Sequence, residues 1–344
     1  MGFKKIEYKK WLNFFGRIII SGFVVLYLFL APFTLLPSLL SAQANVNKSE
    51  NYEYQGILEL WHIETFEGGA KSRSGFLERE AINFEKKHKG TYIVIQTMNL
   101  EQFELNIKQN KHPNIISFGI GVGNDFVENL LDLDCASLRG DICAGGVFNG
   151  KQKAVPYILG GYAIISNGNA NGKTGVGLKG TTNPLLAVQK EDKQIAELYD
   201  DNSLDSYDAY DKFIKGNFST LIGTQRDVFR CKSRMDKGLL NGASFTFLNK
   251  YTDLVQYLSV FKGKEIEEKL CNEFVSHMIS SNVQAKLKDY NLFSTLTNIK
   301  LYTDGLYKDF EDSLQSKLTI ENVFEDISQI QTKKDEAFKN VVKK

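Results

Sequence analysis

The sequence predicts an α/β fold built on parallel sheet, and three observations carry that prediction. Ile57 to Ile63 is patterned as a strand, with Ile57, Leu58, Leu60, Trp61 and Ile63 apolar and too few residues before Gly68 for a stable helix. Beyond Gly68 and Gly69 the period changes. Phe76, Leu77, Ala81 and Phe84 fall at helical spacing, with Arg79, Glu80, Glu85 and Lys86 left for the wet face. A second strand, Tyr92 to Gln96, follows directly, and a third, Asn114 to Phe118, comes after a helix near Leu100–Lys108. Strands separated by helices argue a parallel sheet with helices on both faces. Such units place ligands at the carboxyl ends of their strands, where the loop Glu64-Thr-Phe-Glu-Gly-Gly69 sits.

The N-terminus stands apart from the fold. Lys4, Lys5, Lys9, Lys10 and Arg17 precede an apolar run from Ile18 to Leu40, and Ser41-Ala-Gln-Ala44 offers small residues where a signal peptidase reads. Residues 1–44 therefore read as a signal peptide cleaved after Ala44, or as an uncleaved anchor, since about 20 apolar residues span a bilayer. Pro32 and Pro37 speak against one unbroken spanning helix. Either way the rest is expected to be exported, secreted or held on the outer face of the cytoplasmic membrane, with the basic lead inside. Without that segment 37 basic residues face 40 acidic ones, a net charge of −3. Such a balance carries no electrostatic footprint for nucleic acid. About 300 residues remain, enough for two domains. In an exported chain Cys135 and Cys143, flanking a glycine-containing loop, form a candidate disulfide, with free thiols as the alternative.

Residues 45–54 are polar and read as a flexible leader, and Asp125 to Leu131 reads as helical. Lys153 to Asn167, with its proline and glycine pair, is extended and suited to crossing between lobes; Asn167 to Gly180 reads as an exposed loop. Helices near Pro184–Leu198 and Asp205–Ile214 and a strand Phe218–Ile222 lead to Gly223-Thr-Gln-Arg-Asp227. Phe245–Leu248 and Leu254–Val260 carry the chain back, Glu265–Lys288 reads as one or two helices before the loop Asn291-Leu-Phe-Ser294, and the charged tail from Lys308 is helical in pattern.

With these segments in hand, the chain resembles the extracellular solute-binding proteins of ABC importers, a family that includes sugar-binding members. The resemblance runs from about Gly56 to Asp326 and rests on Leu60-Trp-His-Ile-Glu-Thr-Phe-Glu-Gly-Gly69, Asn114-Ile-Ile-Ser-Phe-Gly119, Val155-Pro-Tyr-Ile-Leu-Gly-Gly-Tyr162, Gly223-Thr-Gln-Arg-Asp227 and the helix from Cys271 to Gln284. It implies a two-lobed, periplasmic-binding-protein-like (type II) α/β fold, each lobe a mostly parallel sheet flanked by helices, with a hinge between. The first lobe would hold residues 55–155 and about 240–300, the second 156–239 and about 301–344 with the C-terminal helices. The family in Gram-positive cells is usually lipid-anchored through an N-terminal cysteine; this sequence has none before Cys135.

The function so implied is capture of a polar small solute, a saccharide foremost, and its delivery to a membrane permease by a monomer that needs no cofactor. The alternative is a membrane-anchored orphan sensor or adaptor with the same fold. Sugar recognition needs flat rings for C–H faces and polar groups for hydroxyls, so Glu64, Phe66 and Glu67 are expected on the first-lobe side of a cleft, with Thr97, Ser117 and Phe118 at neighbouring strand ends. Tyr157 and Tyr162 would line the hinge, and Gln225 and Arg226 would face Glu64 from the second lobe, where the arginine fork suits hydroxyl, carboxylate or phosphate. Each has a plain structural alternative: solvated loop acids, a crossing strand relieved by glycines, or an Arg226–Asp227 pair. Trp61 is expected in the wall rather than the cleft.

Motifs for other chemistry fail on spacing. Gly168-Asn-Ala-Asn-Gly-Lys-Thr174 has three residues between its glycines where a phosphate loop needs four. Gly119-Ile-Gly-Val-Gly123 lacks the last step of a dinucleotide fingerprint, and His62, His88, His112 and His277 show no metal-ligand spacing. No nucleophile elbow or paired carboxylates stand out, so an enzyme is not expected.

Overall fold

The computed structural model describes residues 20–21, 54–66, 71–122, 126–168, 172–195, 197–199, 204–297, 299–303 and 305–342. The expected signal or anchor segment, the leader before residue 54, and Glu67, Gly68 and Gly69 therefore lie outside the described residues, apart from 20–21. Among the described residues no helix is long and apolar enough to cross a membrane. Tyr54–Lys344 forms one compact unit.

Two sheets organise this unit. In the first, β1 (Gly56–Ile63) pairs in parallel with β2 (Thr91–Met98), from Gly56 opposite Thr91 to Ile63 opposite Met98. On its other side β1 pairs in parallel with β3 (Ile115–Phe118). The crossover helix α1 (Arg73–Glu85) starts at Ser72, whose hydroxyl caps the N–H of Gly75, and buries Phe76, Leu77, Ala81 and Phe84. These are the apolar positions that the helical period marks. Helix α2 (Leu100–Lys108) opens on a reciprocal Asn99–Gln102 capping box. The Asp125–Leu131 stretch, expected to be helical, holds only the single turn Val127–Asn129 among its described residues. Cys135 and Cys143 are joined by a disulfide.

After β4 (Val155–Leu159) the chain leaves this sheet through Gly160 and Gly161. It enters a second sheet of β5 (Tyr162–Ser166), β6 (Thr174–Val176), β7 (Thr220–Thr224) and β8 (Ser244–Leu248), ordered β8-β5-β7-β6. Strand β6 corrects the expectation of an exposed loop from Asn167 to Gly180. Its three residues are buried and pair in parallel with β7, because glycine at 175 leaves room for the Phe218 ring; a Cβ there would come within 1.9 Å of it. Helices α3 (Pro184–Lys190), α4 (Ser206–Ile214) and α5 (Gln225–Asp236) flank this sheet.

The return crossing, residues 249–254, comes later in the chain than the expected position near 240, because Ser244–Leu248 pairs antiparallel with β5 and stays in the second sheet. Strand β9 (Val255–Val260) then inserts between β3 and β4, antiparallel to both, with all six residues buried. The first sheet thus reads β2-β1-β3-β9-β4. Its helix α6 (Glu265–Met278) packs on α1, with Phe84 and Phe274 edge to face at 5.4 Å. Helix α7 (Gly305–Ser313) brings Phe310 beneath Gly161. A short strand, Thr319–Ile320, pairs in parallel with Tyr251–Thr252 of the crossing. Helix α8 (Ile327–Val341) lies on α3, so the chain ends on the second lobe.

Candidate functional site

The site is built outward from the start of α5. Thr224 donates its backbone N–H to the Asp227 carboxylate at 2.9 Å, which caps the helix, and Gln225 is tied to the crossing strand at Gly161. Both Gln225 and Asp227 are buried, and Arg226 between them projects half-exposed into a groove. Arg230 and Arg234 follow at four-residue steps on the same helix face. The opposite bank is α4, whose N-cap Asp205 accepts the Asp208 N–H at 2.8 Å and which presents Tyr207 and Tyr210. The Arg230 guanidinium lies over the Tyr210 ring at 4.9 Å and the Tyr207 ring at 5.9 Å, and Arg234 Nε donates to the Tyr210 hydroxyl at 3.2 Å.

The end wall of the groove comes from Asn291 and Tyr307. Asn291 takes a left-handed conformation, φ 57°, to end the helical turns 285–290, and the exchange of backbone hydrogen bonds between Phe293 and Leu159 attaches this loop to the first sheet. Phe229 of α5 meets Tyr307 with ring centroids 3.9 Å apart. The groove therefore runs between second-lobe helices and a first-lobe loop. It holds about 820 Å³, inside the ~300–1,000 Å³ usual for small-molecule sites. Near Gly121 the described part of the seam is tight. A Cβ at Gly121, which has φ 86°, would stand 2.3 Å from Thr181, and the space between Ile120, Thr181 and Asp253 is about 10 Å³, room for no more than one water.

Of the described residues expected at a cleft, the structure brings Arg226 alone to the groove; Glu67 lies outside the described residues. Glu64 is about half exposed at the end of β1, and Thr97 is exposed at the end of β2. Phe66 is half-buried beneath the Arg73 guanidinium at 4.3 Å and packs against the second-lobe cluster around Tyr162 and Leu254. Phe118 is core, wedged between Phe126 and Phe324. Ser117 and Tyr157 belong to a buried chain: His62 Nδ1 and Ser117 Oγ are 2.9 Å apart, Ser117 Oγ and the Tyr157 hydroxyl 2.8 Å. Gln256 joins the chain, donating to Ser117 Oγ at 3.0 Å and accepting from Arg73 at 2.8 Å. Burial, with Arg73 nearby, lowers the His62 pKa to about 3, so its ring is neutral. At the hinge the Tyr162 hydroxyl donates to Asp253 at 2.6 Å, and burial pushes that carboxyl up despite further hydrogen bonds from Tyr251 and the Asn183 N–H. Trp61 is buried, edge-on to Phe103.

The groove residues missed from sequence left one usable signal. Arg226, Arg230 and Arg234 stand four apart and share a helix face that is not the apolar one, while Tyr207 lies one turn before Tyr210, which is buried with Ala209 and Phe213. Nothing local marks Asn291 or Tyr307 as their neighbours. Among the described residues no cluster of His, Cys, Asp and Glu could hold a metal ion.

No protein-family profile and no curated protein matches this chain. Solved structures do. The GacH receptor of Streptomyces glaucescens, solved unliganded and with acarbose, is 16% identical with a TM-score of 0.59 over 83% of this chain and 96% of its own. The sugar-binding protein MalE from Xanthomonas citri is 11% identical, with a TM-score of 0.61 over 83% and 92%. Iron-bound HitA from Pseudomonas aeruginosa is 12% identical, with a TM-score of 0.55 over 82% and 99%. The chain thus has the two-lobed α/β fold of the ABC substrate-binding proteins. At these identities the likeness speaks for fold, and a fold shared with an iron-bound protein leaves the ligand to the site.

Proposed function

We propose that this chain is the exported solute-binding component of an ABC import system and captures a saccharide in the groove between its lobes. The observation that carries the reading is the groove itself: the rings of Tyr207 and Tyr307 stand beside arginine forks, and Asn291 of a first-lobe loop closes one end. Rings cover the C–H faces of a sugar, and guanidinium and amide groups bond its hydroxyls. Most of the structural neighbours support the choice of ligand: GacH was solved with acarbose, a Listeria monocytogenes substrate-binding protein with cycloalternan, and another is a chitin oligosaccharide binding protein.

Mechanistically, the lobes are joined where the chain crosses at 160–161 and 249–254 and again between the Asn291 loop and α8, and the groove takes its banks from second-lobe helices and one end from the first-lobe Asn291. Ligand then stabilises the closed form in preference to the open one, and the closed form is what a membrane permease would receive. The task is capture and release, with no bond made or broken.

Thermal shift and calorimetry with mono- and oligosaccharides test the reading. A ligand at 100 times its dissociation constant stabilises the chain by about 2.7 kcal/mol. Tyr307→Ala, which removes one wall ring, is expected to weaken binding at least about tenfold while the fold persists. Absence of any shift across sugars, amino acids, peptides and phosphorylated compounds would overturn it.

A further inference from the structure

The loop closed by the Cys135–Cys143 disulfide lies outside the groove lining, yet it grips the chain on both sides of α7. Its midpoint is Arg139, four residues from either cysteine and only 7% exposed, ahead of the helical turn Gly140–Cys143. Before α7, the Arg139 backbone N–H donates to the Thr295 carbonyl at 3.0 Å, and Leu138 bridges Leu296 antiparallel. After α7, the guanidinium takes hold. Nη1 donates to the Leu314 carbonyl at 2.5 Å and Nη2 to the Ser316 carbonyl at 3.0 Å, just past a helix end, where carbonyls lack partners of their own. Nε and Nη2 fork onto the Asp141 carboxylate at 3.2 and 2.7 Å, and Asp141 accepts the Leu318 N–H at 2.9 Å. A planar fork can divide itself between two carbonyls and a carboxylate, which the point charge of a lysine cannot. Between these two grips α7 supplies Tyr307 to the groove and sets Phe310 beneath Gly161.

Resting on the saccharide reading of the groove, we infer that Arg139 is a positioning residue for ligand capture: anchored by the disulfide, it fixes α7 and with it the Tyr307 wall. The bond keeps the loop short of alternatives, so its opening frees the fork and loosens the wall. Cys135 is partly exposed and within reach of a reductant. A dithiol supplies two electrons and two protons, the S–S bond breaks to two thiols, and the reagent closes to its own disulfide.

Amide hydrogen exchange on the full-length chain in mild detergent reads α7 without any ligand. Arg139→Met is expected to speed exchange in α7 at least about tenfold while α1 keeps its rate, and dithiothreitol on the parent should do the same if the variant fails to fold. Arg139→Lys should restore protection only in part, and reoxidation of the reduced parent should restore it fully. Calorimetry with maltotriose as the probe should show binding weakened at least about tenfold by the same treatments. Equal acceleration in α1 and α7 would mean a general loss of stability and overturn the positioning role, as would unchanged exchange in α7. Acceleration confined to α7 with maltotriose affinity kept at the parent value would overturn it too, leaving saccharide capture standing. A parent that binds no maltotriose counts against the saccharide reading, and exchange then decides alone whether Arg139 holds the Tyr307 wall.

Discussion

Gln225 and Gly161 hold each other by two hydrogen bonds: the Gln225 N–H donates to the Gly161 carbonyl at 2.8 Å, and the Gly161 N–H donates to Gln225 Oε1 at 3.1 Å. The pair is buried. It fastens the first turn of α5, which carries Arg226, to the strand where the chain passes from one lobe to the other. Position in the groove is thereby coupled to geometry at the crossing.

Gly160→Ala tests that coupling. Its added Cβ would lie 2.8 Å from Gln225 Oε1 and 3.0 Å from Leu254 Cβ, so the glutamine must shift. We expect a loss of roughly 1–3 kcal/mol in chemical denaturation, with saccharide binding weakened as Arg226 moves. Unchanged stability and affinity would count against the coupling.

His62 makes stability depend on pH. Its folded pKa is lowered to about 3 by burial first and Arg73 second, against about 6.5 when unfolded. The unfolded state therefore takes up a proton that the folded state refuses. The stabilising contribution is fully present above about pH 6.5 and is lost as pH falls toward about 3, with roughly 2 kcal/mol gone by pH 5. Comparing His62→Asn with the parent between pH 7.5 and about pH 5, the variant should lose less stability than the parent does. Equal losses would refute the assignment.

The disulfide between Cys135 and Cys143 spans eight positions. Closing so short a loop in the unfolded chain corresponds to about 2.5 kcal/mol. The double serine variant, or the reduced protein, should therefore unfold at lower denaturant by about that amount. No change on reduction would show the bond to be idle.

Cys231 and Cys271 should be inert. Burial, helped by Asp227 beside the first and Glu267 beside the second, pushes both thiols up to about 12. A thiol reagent at pH 8 is expected to label neither in the native protein and both after unfolding. Rapid native labelling of Cys231 would mean that α5 opens beneath the groove.

Much of the first sheet was legible. The β1–α1–β2 unit follows from periodicity, since Phe76, Leu77, Ala81 and Phe84 mark one helix face whatever lies elsewhere. Strand β6 was not legible, because Thr174-Gly-Val176 has no pattern of its own and owes its burial to Phe218, more than forty residues on. The cleft expectation placed recognition at Glu64, Phe66 and Glu67, the last of which lies outside the described residues, and the groove along α4 and α5 was not part of it apart from Arg226. Ser117, Tyr157 and Tyr162 carry polar groups at strand ends, as a ligand site would, but they satisfy one another, His62 and Asp253 instead.

By itself the sequence determined the α/β class, the first βαβ unit, the glycine pair at the crossing and Arg226 as a residue to watch, since these rest on neighbours along the chain. Tertiary structure decided that β9 enters the middle of the first sheet and that Tyr207, Arg230, Asn291 and Tyr307 share one groove. The physical reason is the range of the forces. Helix and strand periods are set by residues a few positions apart, whereas the groove's position depends on which distant surfaces bury each other best.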